Sequence, residues 1–410
     1  MWRVRIDILT REYPPNIYGG AGVHVAELTR ALRELPDLSV SVRAFDEPVD
    51  EPGTTGYPTP DNLQHANAAL RTLGVDVAMA SDVVEGGADL VHSHTWYANM
   101  GGHLASLLGG IPHVISAHSL EPLRPWKAEQ LGGGYRVSSW AERTAYEAAA
   151  GVIAVSAGMR KDILASYPSI DPERVHVVHN GIDSERWQRD TSERARSIVH
   201  DLGIDPDRPS VVFVGRITRQ KGLPYLLRAL AELPPEVQVV LLAGAPDTED
   251  IKNEVVALVD RLREGRGEAG GVTWIGEMLP REKVIAVLSH ATVFLCPSVY
   301  EPLGIVNLEA MACGAAVVAT ATGGIPEVVV DGETGWLVPI EQVSDGTGTP
   351  VDPDAFVADL AAAINEAVSD PARAERMGAA GRKRAVEHFS WGTIAESTLD
   401  VYRAVREGWV

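Results

Sequence analysis

Short apolar runs alternate along this chain with stretches whose apolar positions return every third or fourth residue. Parallel strands covered by helices give this pattern, because a strand buried on both faces is apolar throughout while its covering helix is apolar on one stripe. In the first half, the runs at 4–10, 38–45, 89–94, 111–117, 151–156 and 175–179 predict strands. Residues 22–35 predict a helix with Val23, Ala26, Leu28, Ala31, Leu32 and Leu35 near its inner face. After Asn180-Gly181-Ile182-Asp183 the pattern restarts, with strands expected at 210–215, 237–243, 272–276, 292–296 and 315–319. Two successive parallel sets predict an α/β protein of two Rossmann-like domains, 1–180 and 181–389. The apolar positions of 390–407 let a last helix, 390–410, pack back on the first domain. Residues 46–62 and 341–353 are rich in Gly, Pro and polar residues, have no apolar face to bury, and read as surface loops.

Length and charge narrow the function. A chain of 410 residues exceeds one ordinary core, which agrees with two domains. Its 36 basic and 56 acidic residues leave a formal charge of −20, a field that repels nucleic acid and anionic lipid. No apolar run reaches the roughly 18 residues of a membrane span, and the N-terminus runs straight into a strand. The expected location is therefore the cytoplasm, and Cys296 and Cys313, both in apolar stretches, are expected as buried free thiols. In so acidic a chain, local clusters of Arg and Lys are the places to look for an anionic ligand.

The most specific run is Glu301-Pro302-Leu303-Gly304-Ile305-Val-Asn-Leu-Glu309, directly after a buried strand. With Pro302 at a helix start, the N–H groups of Leu303, Gly304 and Ile305 become the unpaired donors of a first turn, a setting that attracts phosphate. Glu301 would stand before the helix and Glu309 two turns along it, spaced to take hydroxyls at two places on one elongated ligand. A second run, Gly215-Arg216…Lys221-Gly222, ends another strand with two cations that can neutralise a leaving diphosphate without a metal. Gly19-Gly20-Ala21-Gly22, after the first strand, lets backbone approach a ligand at a strand's carboxyl end. His118 closes the strand 111–117 and is followed by Arg124 and Lys127, which suit an anionic acceptor or are solvated loop charges. His92 and His94 share one strand face, but spacing shows no third ligand there or at His103, so no metal is expected.

These runs together resemble the retaining glycosyltransferases of the GT-B fold, glycosyltransferase family 4. Residues 11–15, 92–96, 118–127 and 131–135 look like the actinobacterial glycogen synthase and α-maltose-1-phosphate synthase group. The resemblance implies two Rossmann-like domains facing across a cleft and a nucleotide-glucose donor, ADP-glucose in this group. The acceptor it implies is glucose 1-phosphate or an α-glucan end, with no cofactor and no metal. It implies that Arg216, Lys221 and the amides at Leu303, Gly304 and Ile305 hold the diphosphate and that Gly20 approaches it. Glu309 would bind the ribose and Glu301 the glucose. His118 would lie beside the reacting sugar, with His94, Arg124 and Lys127 on the acceptor side. The donor loop lacks the lysine of ordinary bacterial glycogen synthases, which favours a small acceptor over a processive polymerase. A homodimer is left open, as are two rival readings: a nucleotide-sugar epimerase or hydrolase, and a sugar-nucleotide-binding protein without turnover.

Overall fold

The structure is a computed structural model and describes residues 4–124, 132–267 and 270–409. The chain divides into two compact units. Unit 1 is Met1–Gly181 with Trp391–Val410, and unit 2 is Ile182–Ser390.

Unit 1 carries a parallel sheet in the order β3-β2-β1-β4-β5-β6-β7. Its strands are β1 (Val4–Thr10), β2 (Leu38–Phe45), β3 (Thr54–Tyr57), β4 (Leu90–His94), β5 (His113–Ala117), β6 (Gly151–Ala154) and β7 (Val175–Val177). The central strands are buried along almost their whole length, which is why they read as continuous apolar runs. Helix α1 (Gly20–Arg33) covers one face together with the helix Trp391–Gly408, around Ile6, Ile8, Val25, Leu28, Leu32, Trp391 and Tyr402. Helices α2 (Ala68–Gly86) and α3 (Trp96–Gly109) pack Met79, Val83 and Ala105 against Leu9 and Val91.

Unit 2 repeats the plan with the order β10-β9-β8-β11-β12-β13. Its strands are β8 (Ser210–Arg216), β9 (Gln238–Gly244), β10 (Val272–Ile275), β11 (Val293–Cys296), β12 (Ala316–Thr320) and β13 (Gly335–Val338). No helix among the described residues is long and apolar enough to cross a membrane. Both cysteines are buried and free.

Two local expectations need correction. Residues 46–62 are not all loop, because Thr54–Tyr57 pairs in parallel with Val42–Phe45 as the edge of the sheet. An edge strand has one neighbour and little to bury, so its composition resembles a loop's. The inner face of α1 is turned from the expected one: His24, Val25, Leu28, Thr29, Ala31 and Leu32 are buried, whereas Val23, Ala26 and Leu35 are only partly so. Residues 341–353 are a surface loop, as expected, closed by one antiparallel bridge between Gln342 and Pro350 into a small tongue. Gln342 Nε2 donates to the Val299 carbonyl, which ties that tongue to the turn after β11.

Candidate active site

In unit 2, β8 ends at Gly215-Arg216, and Thr218 caps the short turn Arg219–Lys221 by accepting the Lys221 N–H at 3.3 Å. Gly222 follows with φ of 62°. A Cβ there would lie 2.0 Å from the Pro297 carbonyl oxygen, so only glycine lets this turn lie directly on the chain leaving β11. The Val299 N–H donates to the Gln220 carbonyl at 2.9 Å and fastens the two loops. Their side chains meet as a result: Lys221 Nζ donates to Glu301 Oε2 at 2.6 Å, and Ser298 Oγ donates to the same oxygen at 3.1 Å. Burial alone would pull the Lys221 ammonium down, but Glu301 opposite more than offsets this and holds it above the ordinary lysine value.

Glu301 is also fixed through its backbone. Its carbonyl accepts the Gly324 N–H at 2.9 Å, and a Cβ on Gly323 would lie 2.0 Å from that oxygen. The helix beyond it begins later than the sequence suggests, spanning Ile305–Ala312. Gly304 is its N-cap in a left-handed conformation, φ 96° and ψ 63°, and this reversal after Pro302 delays the first turn. Leu303 is thus buried ahead of the helix, and the amides that the helix leaves without an internal partner are those of Ile305 and Val306. Glu309 lies on this helix, and Glu301 lies outside it. Burial pushes the Glu309 carboxyl up to about 7, against the pull of Arg281 and Lys221. Arg216 acts electrostatically on Lys221 but is half exposed, and its guanidinium is held by Asp247, a partner the sequence did not reveal. Arg216, Lys221, Glu301 and Glu309 thus share one neighbourhood at the carboxyl ends of β8 and β11.

In unit 1, Gly20 is the first residue of α1. The Glu12 carboxylate accepts the Tyr18 and Gly19 N–H groups at 2.8 and 2.9 Å. A Cβ on Gly22 would come within 2.8 Å of Glu12, so this glycine is required by packing on that side chain. The amides left open at this helix start are those of Gly20, Ala21 and Gly22.

Behind the loop sits a cluster of imidazoles drawn from three elements. His24 comes from α1, His92 and His94 from β4, and His118 follows β5. His94 Nδ1 and His118 Nε2 are 3.0 Å apart, with the rings stacked at 5.3 Å. His92 is tied to Tyr402 Oη at 2.6 Å and Ser116 Oγ at 2.9 Å. Burial lowers all four groups; the neighbouring rings lower His92, His94 and His118 further, while Asn180 partly opposes the shift at His24, so the cluster is neutral near pH 7. His94 has no exposed surface, so any part it plays toward a ligand passes through His118, which is half-buried. Among the described residues, His24, His94 and His118 are the group whose donor atoms could share a metal, all within 4.8 Å of one another. His92 and His103, weighed from spacing, are not part of it.

The chain after His118 is braced from within. Glu142 accepts the Glu121 N–H at 2.8 Å and the Tyr167 hydroxyl, and Ser138 Oγ donates to Glu121 at 2.6 Å. Arg124 Nη1 donates to Ser119 Oγ at 3.2 Å, and Lys127 lies outside the described residues. Nothing in the sequence marked Glu121 and Glu142 as a buried pair, because Glu121 stands in a Pro-containing loop run some twenty residues before Glu142.

Residues 18–186 match the family model described as Glycosyltransferase Family 4, and residues 195–384 match the one described as Glycosyl transferases group 1. The α-maltose-1-phosphate synthase of Mycolicibacterium smegmatis is 56% identical over 402 residues, covering 98% of this chain and all of that protein. In fold, the chain is similar to the sucrose-phosphate synthase of Thermosynechococcus elongatus, with a TM-score of 0.77, 24% identity, and 99% of this chain and 100% of that one covered. It is likewise similar to the Anabaena protein HepE in complex with UDP-glucose, with a TM-score of 0.75, 22% identity, and coverage of 98% and 100%. Both halves match the family, and more than half the aligned residues are shared with one of its enzymes across nearly the whole chain, so this protein is a family 4 glycosyltransferase with the GT-B fold.

Proposed function

We propose that this enzyme transfers glucose from ADP-glucose to O4 of glucose 1-phosphate, with retention, giving α-maltose 1-phosphate; α-glucan ends serve as a second acceptor. The observation that carries the reading is the Lys221–Glu301 contact beside Arg216, Glu309 and the helix start at Ile305. Two cations and open amides suit a diphosphate, and two acids suit sugar hydroxyls. The similarity to an enzyme named for maltose 1-phosphate supports the acceptor.

Arg216, Lys221 and the open amides of Ile305 and Val306 hold the donor diphosphate, and Gly20 approaches it. Glu309 takes the ribose, and Glu301 takes the transferred glucose. The glucose C1–O bond breaks toward the diphosphate, whose charge the cations and amides stabilise. The acceptor O4 then bonds to C1 from the same face and gives its proton to a leaving diphosphate oxygen, so ADP departs without help from a metal. Glu301 is engaged by Lys221 and Ser298, which suits a binding group better than an attacking nucleophile. His118 sits neutral beside the sugar, and Arg124 and Lys127 meet the acceptor phosphate.

Incubation with ADP-glucose or UDP-glucose, with and without glucose 1-phosphate, tests this directly. ADP release that requires glucose 1-phosphate, with a phosphorylated disaccharide as product, is the expected result. Equal release without acceptor would mean hydrolysis or rearrangement, and no release would mean a binding protein. Arg124→Ala should raise the KM for glucose 1-phosphate while leaving that for the donor; an unchanged acceptor KM removes Arg124 from the acceptor site.

A further inference from the structure

We propose that His24, His94 and His118 form a binding site for a divalent transition-metal ion of the zinc class, and that the ion switches transfer off by occupying the ring of His118. The second part rests on the function proposed above; the first does not.

The three rings come from α1, β4 and the end of β5, each held by packed backbone. Their donor atoms lie within 4.8 Å of one another, and His94 Nδ1 and His118 Nε2 are 3.0 Å apart. Tetrahedral zinc with Zn–N bonds of about 2.0–2.1 Å spaces its nitrogens roughly 3.3 Å apart, so small ring rotations suffice. The second, independent observation is unsatisfied nitrogen. His24 is 2% exposed, and neither of its ring nitrogens meets hydrogen-bond geometry with any described residue, the adjacent Asn180 amide included. Buried polar atoms without partners are uncommon and carry a desolvation cost that a metal–nitrogen bond would remove.

The chemistry of the donors selects the ion. Neutral imidazoles prefer zinc, cobalt, nickel and copper over magnesium and calcium, which want oxygen. The proton now shared between His94 and His118 moves to His94 Nε2, which leaves each ring with one N–H. His118 is the half-buried member, so it is the ring through which the ion enters and where a fourth, solvent position remains. Among the described residues no carboxylate braces the second nitrogens, which favours a weakly held, exchangeable ion over a permanent one.

Co²⁺ titration of the full-length protein reads the site without reference to turnover, through the visible absorption of tetrahedral cobalt. One Co²⁺ per chain, displaced by Zn²⁺ but not by Mg²⁺ or Ca²⁺, is the expected result, with affinity falling at least about tenfold in His24→Gln and in His94→Gln. Absence of the band in wild type overturns the site, as does a band that survives both substitutions. Selectivity in unaltered protein decides the matter even if a variant misfolds. In parallel, Zn²⁺ should suppress nucleotide release and a chelator should restore it. A bound ion that leaves the rate unchanged overturns the inhibitory role, and a protein with no turnover to inhibit tells against the proposed function while the cobalt band still reports on the site.

Discussion

Lys221 and Glu301 make one contact with two consequences, and substitution can separate them. Their side chains are 22% and 9% exposed, so removing one partner leaves the other poorly solvated. Lys221→Ala should cut turnover by on the order of 10²-fold or more through lost charge on the leaving diphosphate. It should also cost stability, toward the low end of the roughly 3–5 kcal/mol typical of breaking a buried pair. The double variant Lys221→Met/Glu301→Gln removes both charges and should recover most of that stability in urea melts while remaining inactive. A double variant as unstable as the single one would mean that the loop, and not the charge, suffers. Arg216 makes the useful contrast: its side chain is 51% exposed and paired with Asp247, so Arg216→Ala should lose activity with little change in the melt.

Glu309 adds a pH dependence whose sign follows from burial. Its carboxyl is raised from 4.5 to about 7 in the folded protein, so between those values the folded state binds more protons than the unfolded chain. Stability contributed at this position is therefore fully present below the unfolded value and is lost as pH rises through 7, by at most about 3 kcal/mol. Glu309→Gln has no carboxyl to ionise. Measured against it, the wild type should lose stability between pH 4.5 and 8, and a flat difference would show that water reaches the carboxylate.

At the scale of elements, much of the fold could be read because a doubly covered parallel sheet leaves a strong imprint. β1, β4, β5, β8, β11 and β12 lie within or close to their expected ranges. Two of the four edge strands were missed, Thr54–Tyr57 and Gly335–Val338, which are short, contain glycine and pair on one side only, whereas the edges at Val175–Val177 and Val272–Ile275 were read. Contacts between elements left no local mark at all. Glu12 under the Gly19 amide, Asp247 on Arg216 and the meeting of His24 with His94 and His118 join positions whose sequence neighbours say nothing of the partner. Gly222 was read only as part of the cationic run after a strand, and nothing marked it as the point where two loops touch. Gly222→Ala should be more than a turn mutation, since the left-handed conformation costs roughly 1–2 kcal/mol and the Pro297 carbonyl must also move. We expect lower stability together with a large loss of turnover, because the shift draws Lys221 from Glu301. An active Gly222→Ala protein would show that this pairing is dispensable.

For the molecule as a whole, the two units bury separate cores, one around Val211, Leu241 and Val318 and the other around Ile6, Val25 and Tyr402. A ligand held by one unit stabilises that unit by mass action, about 2.7 kcal/mol at a hundred times its dissociation constant. The donor can therefore be mapped by which amides it protects from hydrogen exchange. If unit 2 grips the diphosphate, ADP-glucose should slow exchange through 216–222 and at Ile305 and Val306, whose amides the helix leaves open. Protection at Gly20, Ala21 and Gly22 is a separate matter, since Glu12 already takes the Tyr18 and Gly19 amides and only the next three are available to an anion. Slowed exchange at both places means that the donor is held by both units. Slowing confined to unit 2 withdraws Gly20 from the donor site and leaves the loop 19–22 as a turn packed on Glu12, and no slowing at 216–222 removes the diphosphate from Arg216 and Lys221 altogether.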